Sequence, residues 1–128
     1  MKKLAIIDDS PMMLSFLERF LQENWEVQSF EGPLEFIKTF EEDKYVPHII
    51  IADLQTEGLS AVDLMRFVKR THLNIPVLII SSNGNIDVKV ECLEAGAIDF
   101  IQKPFNPREL EARIKKVAFQ QDQDYHVH

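Results

Sequence analysis

Short apolar runs recur along this chain, and four of them stop at residues that carry carboxylate, hydroxyl or ammonium groups. Residues 4–7 stop at Asp8-Asp9, residues 48–52 at Asp53, residues 77–80 at Ser81-Ser82, and residues 100–102 at Lys103. Strands that are apolar on both faces are typical of a parallel sheet that helices cover on both sides. The runs therefore predict the strands of such a sheet, each with a polar residue at its carboxyl end.

Segments with helical spacing lie between the runs, so that strand and helix alternate five times. Ser10 and Pro11 suit the N-cap and the first position of a helix. The stripe that follows them is predicted to be core: Met12, Met13, Phe16, Leu17, Phe20 and Leu21. A second strand is predicted over 26–30, and a last helix from Pro107. The alternation predicts a doubly wound α/β domain, with a five-stranded parallel sheet, five helices on both faces and right-handed crossovers.

The composition narrows the classes of function. The 128 residues suit one domain, the net charge of −7 argues against direct binding to nucleic acid, and the single Cys92 excludes an internal disulfide. No apolar run approaches the ~20 residues that span a bilayer. The first residues also lack the apolar core of a signal peptide. We therefore expect a cytoplasmic protein without a membrane partner, with a domain over 1–120 and a polar tail or the start of a linker over 121–128.

The polar residues at the strand ends are expected to form one site. The carboxyl ends of parallel strands lie along one edge of the sheet, so five side chains should converge there: Asp8, Asp9, Asp53, Ser81 and Lys103. Crowded carboxylates repel one another unless a cation neutralises them, and oxygen ligands suit Mg²⁺. A carboxylate oxygen of Asp53 could attack phosphorus in line and form an aspartyl phosphate. Lys103 and Ser81 would contact other phosphoryl oxygens.

The step from Lys103 to Pro104 carries a further expectation about the backbone. Peptide bonds that precede proline adopt the cis form far more readily than other peptide bonds. We predict a cis Lys103-Pro104 bond, which would aim the ammonium group back over the edge of the sheet.

These residues, in this order, resemble the receiver domain of two-component response regulators, as in the single-domain chemotaxis regulators, from residue 3 to about residue 119. The resemblance implies a flavodoxin-like strand order of 2-1-3-4-5. It places Asp8-Asp9 at the acidic pair that binds Mg²⁺, Asp53 at the phosphoacceptor, Ser81 at the switch hydroxyl, and Lys103-Pro104 at the lysine and cis proline. Gln55 falls at the position whose backbone carbonyl completes the metal shell.

The resemblance extends to the switch and to the partners. Residues 95–100, AGAIDF, match the family's A-G-A-x-D-[YF] stretch, so Phe100 would turn inward when Ser81 moves. A sensor histidine kinase or a phosphotransfer protein would donate the phosphoryl group. The changed face, formed by helix four, strand five and helix five, would then pair with an output domain, a downstream target protein or a second receiver in a phosphorylation-dependent homodimer. Such a domain is a regulator and not an enzyme, because it promotes only its own phosphotransfer and dephosphorylation.

Several positions depart from the family's pattern. Four and eight residues after the phosphoacceptor, the usual Pro and Gly are Glu57 and Ala61 here, and Glu57 adds negative charge near the site. Phe100 lacks the hydroxyl of a switch tyrosine. Gln55 and Asn83 fall at the variable positions that tune self-dephosphorylation in this family.

Other functions use similar residues. A phosphohydrolase of the haloacid dehalogenase type needs a D-x-D pattern on its first strand, whereas Asp8 is followed by Asp9 and Ser10. A receiver-like interaction module that works without phosphorylation typically loses the acidic pair, the phosphoacceptor or the lysine, and all of them are present here. A dinucleotide-binding domain is excluded because residues 8–11 replace its glycine-rich turn.

Overall fold

The computed structural model describes residues 1–53 and 60–127, where strands and helices alternate as predicted. In chain order the elements are β1 (Lys3–Ile7), α1 (Pro11–Leu21), β2 (Glu26–Phe30), α2 (Pro33–Glu42), β3 (Ile49–Asp53), α3 (Ala61–Arg70), β4 (Val77–Ser81), α4 (Ile86–Glu94), β5 (Asp99–Gln102) and α5 (Pro107–Val127).

The strands form one parallel sheet in the order β2-β1-β3-β4-β5. Every residue of β3 and β4 is buried, which explains why these strands are apolar on both faces. The register places Ile7 opposite Ala52, Asp53 opposite Ile80, and Ser81 opposite Gln102, so the strands end at a common edge. The predicted doubly wound fold and the strand order implied by the resemblance are both confirmed.

Helices cover both faces of the sheet, and each face has its own core. On one face α1 and α5 pack their buried residues, among them Leu17 and Ile114, against Leu4 and Ile6. On the other face α2, α3 and α4 pack against the alternate residues of the same strands. Because successive side chains of a strand point to opposite faces, each central strand contributes to both cores.

Helix α1 corrects one expectation about the core. Its predicted cap is present, because the Ser10 hydroxyl accepts a hydrogen bond from the Met13 N–H at 3.2 Å. However, Met12 is 82% exposed and Phe16 is 43% exposed, whereas Leu14 is buried. The predicted stripe is wider than the surface that the sheet can cover, so its outer residues face away from the core.

Helix α5 continues to Val127, through most of the segment predicted to be a polar tail. Its last residue in the core is Val117, and the residues beyond are polar except for a few. The domain limit at residue 120 stays a prediction. None of the helices in the described ranges combines the length and apolarity needed to cross a membrane.

Candidate functional site

Four strands deliver polar side chains to one edge of the sheet. Asp8 follows β1, Asp53 ends β3, Ser81 ends β4, and Lys103 follows β5. These strands are neighbours in the order β1-β3-β4-β5, and the chain places β2 on one side of β1 and β3 on the other side. The site therefore lies at the topological switch point, where open α/β sheets bind their ligands.

Three carboxylates crowd together at this edge. Asp8, Asp9 and Asp53 each offer an oxygen, and these oxygens all lie within 4.8 Å of one another. Asp8 and Asp53 are 2% and 8% exposed, whereas Asp9 faces solvent. Such a cluster of hard oxygen donors, open on one side, fits a small divalent cation that keeps several of its waters.

The surroundings of Asp8 disfavour the ionised form of its carboxyl group. Burial raises the pKa of Asp8, and the charge of Asp53 raises it further, although the Ser10 N–H and Lys103 oppose both effects. The Ser10 N–H donates to Asp8 Oδ1 at 2.9 Å. The net upward shift of the pKa means that the charged form of Asp8 is disfavoured here, and a cation at the cluster would reverse this.

Lys103 is the basic partner of the buried carboxylates. Its Nζ lies 2.7 Å from Asp53 Oδ2 and 3.2 Å from Asp8 Oδ2. Burial lowers the pKa of Lys103, but the hydrogen bond and charge of Asp53, with those of Asp8, outweigh it and raise the pKa overall. Lys103 is thus held as a cation beside the two carboxylates. The Lys103-Pro104 bond is cis, which confirms that prediction.

Ser81 is fully buried and connects the site to helix α4. Its Oγ accepts the N–H of Asn83 at 2.9 Å, and its carbonyl accepts the N–H of Lys103 at 2.7 Å. Asn83 Oδ1 in turn accepts the N–H of Asn85, whose own side chain caps α4 at Asp87. A chain of hydrogen bonds therefore joins the Ser81 hydroxyl to the first turn of α4.

The aromatic ring of Phe100 already lies inside the domain. Phe100 is 8% exposed and packs in the core shared with α2, α3 and α4, where Ile79, Cys92 and Ala97 also lie. The resemblance placed this ring outside until Ser81 moves. A phenylalanine has no hydroxyl that solvent could stabilise, so burial of the whole ring is favourable.

Two of the predicted positions lie outside the described residues, namely Gln55 and Glu57. Ala61 is described and is buried as the first residue of α3, after the cap Ser60. The structure thus brings Asp8, Asp9, Asp53 and Lys103 together.

Sequence reasoning missed an apolar surface beside the site. Phe16 and Met13 of α1 border a shallow pocket of about 400 Å³, together with Lys103, Pro104, Phe105 and two further residues. The Phe16 ring stacks on Phe20 with 6.1 Å between their centroids. The unusual width of the α1 stripe is the sequence feature that could have revealed this surface.

Comparisons with known proteins agree with this geometry. The family model described as the response regulator receiver domain matches residues 4–115. The phosphate regulon transcriptional regulatory protein PhoB of Pseudomonas aeruginosa is 44% identical over 73 residues. That match covers 56% of this chain and only 32% of the length of PhoB.

Solved structures give the same result. The BeF3-activated receiver domain of DrrB is 28% identical, with a TM-score of 0.85, and the match covers 92% of this chain and 97% of that one. DrrB is described as a Thermotoga maritima homologue of OmpR and PhoB. A CheY-like receiver domain protein of Methanospirillum hungatei has the same fold, with 23% identity, a TM-score of 0.86, and coverage of 96% and 98%.

Receiver domains act in signalling with histidine kinases and output domains, and they bind Mg²⁺ at an acidic pocket. In this chain, Asp8, Asp9 and Asp53 form an acidic cluster that could hold a metal ion. The family match favours this interpretation over a haloacid dehalogenase-type hydrolase. The chain belongs to the receiver domain family of two-component response regulators.

Proposed function

We propose that this chain accepts a phosphoryl group on Asp53 from a phosphohistidine, with Mg²⁺, and that phosphorylation changes the surface of α4, β5 and α5. The proposal rests on one observation: the buried Asp53 carboxylate lies within the acidic cluster and 2.7 Å from the Lys103 ammonium. This arrangement supplies a nucleophile and the positive charge that phosphoryl transfer requires.

Asp8, Asp9 and Asp53 would hold the metal ion, and the backbone carbonyl of Gln55, outside the described residues, is the predicted fourth ligand. The bound ion would neutralise the crowded carboxylates and polarise a phosphoryl oxygen.

The transfer itself needs little beyond positioning. A carboxylate oxygen of Asp53 attacks phosphorus in line, the bond from phosphorus to the imidazole nitrogen breaks, and the electron pair returns to that nitrogen. Lys103, already paired with Asp53 Oδ2, stabilises the negative charge on a phosphoryl oxygen. The donor's histidine leaves as a neutral imidazole once it takes up a proton.

The hydrogen bonds of Ser81 suggest how the switch works. In the proposed switch, the Ser81 hydroxyl shifts to donate its hydrogen to a phosphoryl oxygen, and this shift changes the geometry in which its oxygen accepts the Asn83 N–H. Asn83 and Asn85 would transmit this change to the first turn of α4. With Phe100 already buried, we place the larger movement in α4 and not in the ring.

Helix α4 presents an apolar surface for a partner. Ile86, Val90 and Leu93 recur at helical spacing and are all exposed, while Cys92 is the buried residue of this helix. This face would bind an output domain, a target protein or a second receiver. The cytoplasmic location and the identity of the partner remain predictions.

Beryllofluoride tests this proposal, because the DrrB receiver domain is known in a BeF3-activated form. We expect beryllofluoride with Mg²⁺ to shift the amide NMR resonances of Ser81, Asn83 and the first turn of α4. The shifts should need Mg²⁺ and should be absent from Asp53→Asn but present in the control Asp43→Asn. Binding that shifts only the residues around Asp53, or that persists in Asp53→Asn, would contradict the proposed switch.

A further inference from the structure

A second cluster of polar contacts lies at the end of the sheet opposite Asp53. Here Lys2, just before β1, reaches the C-terminal part of α5. Its Nζ lies 3.0 Å from Gln121 Oε1, 3.0 Å from Asp122 Oδ1 and 3.4 Å from the Ala118 carbonyl oxygen. These contacts join residues separated by more than a hundred positions in the sequence.

His48 joins the start of β1 to Gln121 of α5 through its hydrogen bonds. The imidazole Nδ1 of His48 accepts the backbone N–H of Lys3 at 2.9 Å, and the backbone N–H of His48 donates to the Lys3 carbonyl at 2.9 Å. Its carbonyl accepts a hydrogen bond from Gln121 Nε2 at 2.8 Å. The amide of Gln121 thus bridges the residue before β3 and Lys2, and it fastens α5 to the starts of two central strands.

These contacts lie where α5 has left the core. Val117 is the last residue of α5 in the core, Ala118 packs partly against it, and Phe119 is 64% exposed. The following segment, 120–124, is Gln-Gln-Asp-Gln-Asp. A short polar helix has little stability in water without tertiary contacts. The contacts of Lys2 and His48 therefore hold this end of α5 against the domain.

We propose that Lys2, His48 and Gln121 form a proton-sensitive latch, and that protonation of His48 releases the C-terminal part of α5 from the sheet. The bond from the Lys3 N–H requires an unprotonated Nδ1, because a protonated Nδ1 would point its own hydrogen at that donor. A charged imidazole would also repel the neighbouring Lys2 ammonium and so disturb its contacts with Gln121 and Asp122. The latch is separate from the proposed phosphorylation and does not depend on it.

The charges around His48 set the direction of the pH dependence. Partial desolvation of the imidazole, then the charges of Lys2, Lys3 and the N-terminal amine before β1, lower the pKa of His48 below its ordinary value of 6.5, and the charge of Asp122 on α5 opposes them. Because the pKa of His48 is lowered in the folded protein, the contacts of the latch are all present above pH 6.5 and are lost as the pH falls through the lowered pKa.

Substitutions can separate the latch from general effects of acid. His48→Asn keeps an acceptor atom at the place of Nδ1 but does not titrate between about pH 5 and about pH 8. Gln121→Ala removes both contacts of the amide and improves helix propensity, so any loss of helix must come from the contacts. Gln120→Ala is the matched control, because no contact in the latch involves that side chain.

The experiment follows backbone NMR order of residues 119–127 in the whole chain, together with the imidazole resonances of His48, from about pH 8 to about pH 5. We expect order to fall with the titration of His48 in the wild type and in Gln120→Ala, to stay constant in His48→Asn, and to be low at every pH in Gln121→Ala. Amide exchange in this segment should be about tenfold faster in Gln121→Ala at neutral pH. Unchanged order while His48 titrates, the same pH dependence in His48→Asn, or normal order in Gln121→Ala would overturn the latch.

Discussion

At the scale of single residues, the site is a balance between one ammonium group and several carboxylates. Lys103 contacts both Asp8 and Asp53, yet burial and the charge of Asp53 still raise the pKa of Asp8. The chain therefore retains an acidic cluster that costs folding free energy until a cation binds. A lower stability of the empty protein is what we expect of a site that serves to bind a cation and not to stabilise the fold.

We predict that Asp8→Asn stabilises the metal-free protein at neutral pH. Folding raises the pKa of Asp8 above its ordinary value of 3.8. Its ionisation therefore lowers the free energy of unfolding as the pH rises through the raised pKa, and this effect is absent below pH 3.8. Urea denaturation without Mg²⁺ should show a higher midpoint for the variant at about pH 7 and no difference at about pH 3.

The same substitution should weaken Mg²⁺ binding, measured by isothermal titration calorimetry, because it removes a charged ligand from the cluster. Asp43→Asn, which removes an exposed carboxylate at the end of α2, serves as the control for surface charge. A variant that is less stable than the wild type at neutral pH, or that binds Mg²⁺ equally well, would disprove this description of Asp8.

Residue types at strand ends made most of the site predictable. Asp8 and Asp53 each follow an apolar run directly, Lys103 follows the short strand β5, and parallel strands bring their carboxyl ends together. The position of the Phe100 ring was not predictable, because it depends on a side-chain rotamer and on the packing of α4, which no local pattern determines.

At the scale of elements, the β4–α4 connection carries the proposed switch. We predict that Ser81→Ala retains phosphorylation of Asp53 but loses most of the response of α4, because the variant lacks the hydroxyl that links the phosphoryl group to Asn83. Intact mass would report the phosphorylation, and amide shifts of residues 86–89 would report the response.

Ser15→Ala, on the exposed side of α1, is the matched control for removal of a hydroxyl. A full α4 response in Ser81→Ala would show that the signal passes by another route.

Helix α1 shows what hydrophobic periodicity can and cannot give. The period identified the helix and its inner residues Leu17 and Leu21, but two adjacent faces of α1 are apolar, and the pattern alone cannot say which one the sheet covers. The uncovered face includes Met12 and Phe16. Of these two residues, Phe16 borders the pocket beside Lys103.

We predict that this face receives the protein that donates the phosphoryl group. Phe16→Ala should lower the rate of transfer from a phosphohistidine protein by about tenfold, since truncation of a hot-spot residue near the centre of an interface costs more than about 1 kcal/mol. The rate with acetyl phosphate, which needs no docking surface, should stay within about twofold of the wild type. Phe119→Ala, an exposed phenylalanine of α5, is the control. Equal losses with both donors would place the effect of Phe16 in the chemistry and not in docking.

At the scale of the whole molecule, the alternation of apolar runs and helical stripes was enough to predict the architecture. The completely buried β3 and β4 explain the isoleucine-rich runs, and the two cores explain why helices lie on both faces. The course of α5 beyond Val117 was not predictable, because Lys2 and His48 hold it through contacts between distant parts of the sequence.

The central claim is that Asp53 forms an aspartyl phosphate with the help of Mg²⁺, and intact-protein mass after incubation with acetyl phosphate tests it most directly. We predict a single phosphoryl adduct that requires Mg²⁺, that is absent from Asp53→Asn and that is retained in Asp43→Asn. An adduct that persists in Asp53→Asn would contradict the assignment of the acceptor. No adduct from acetyl phosphate or from a phosphohistidine protein, in a folded chain that binds Mg²⁺, would contradict the phosphoryl chemistry and favour an interaction module that works without phosphorylation.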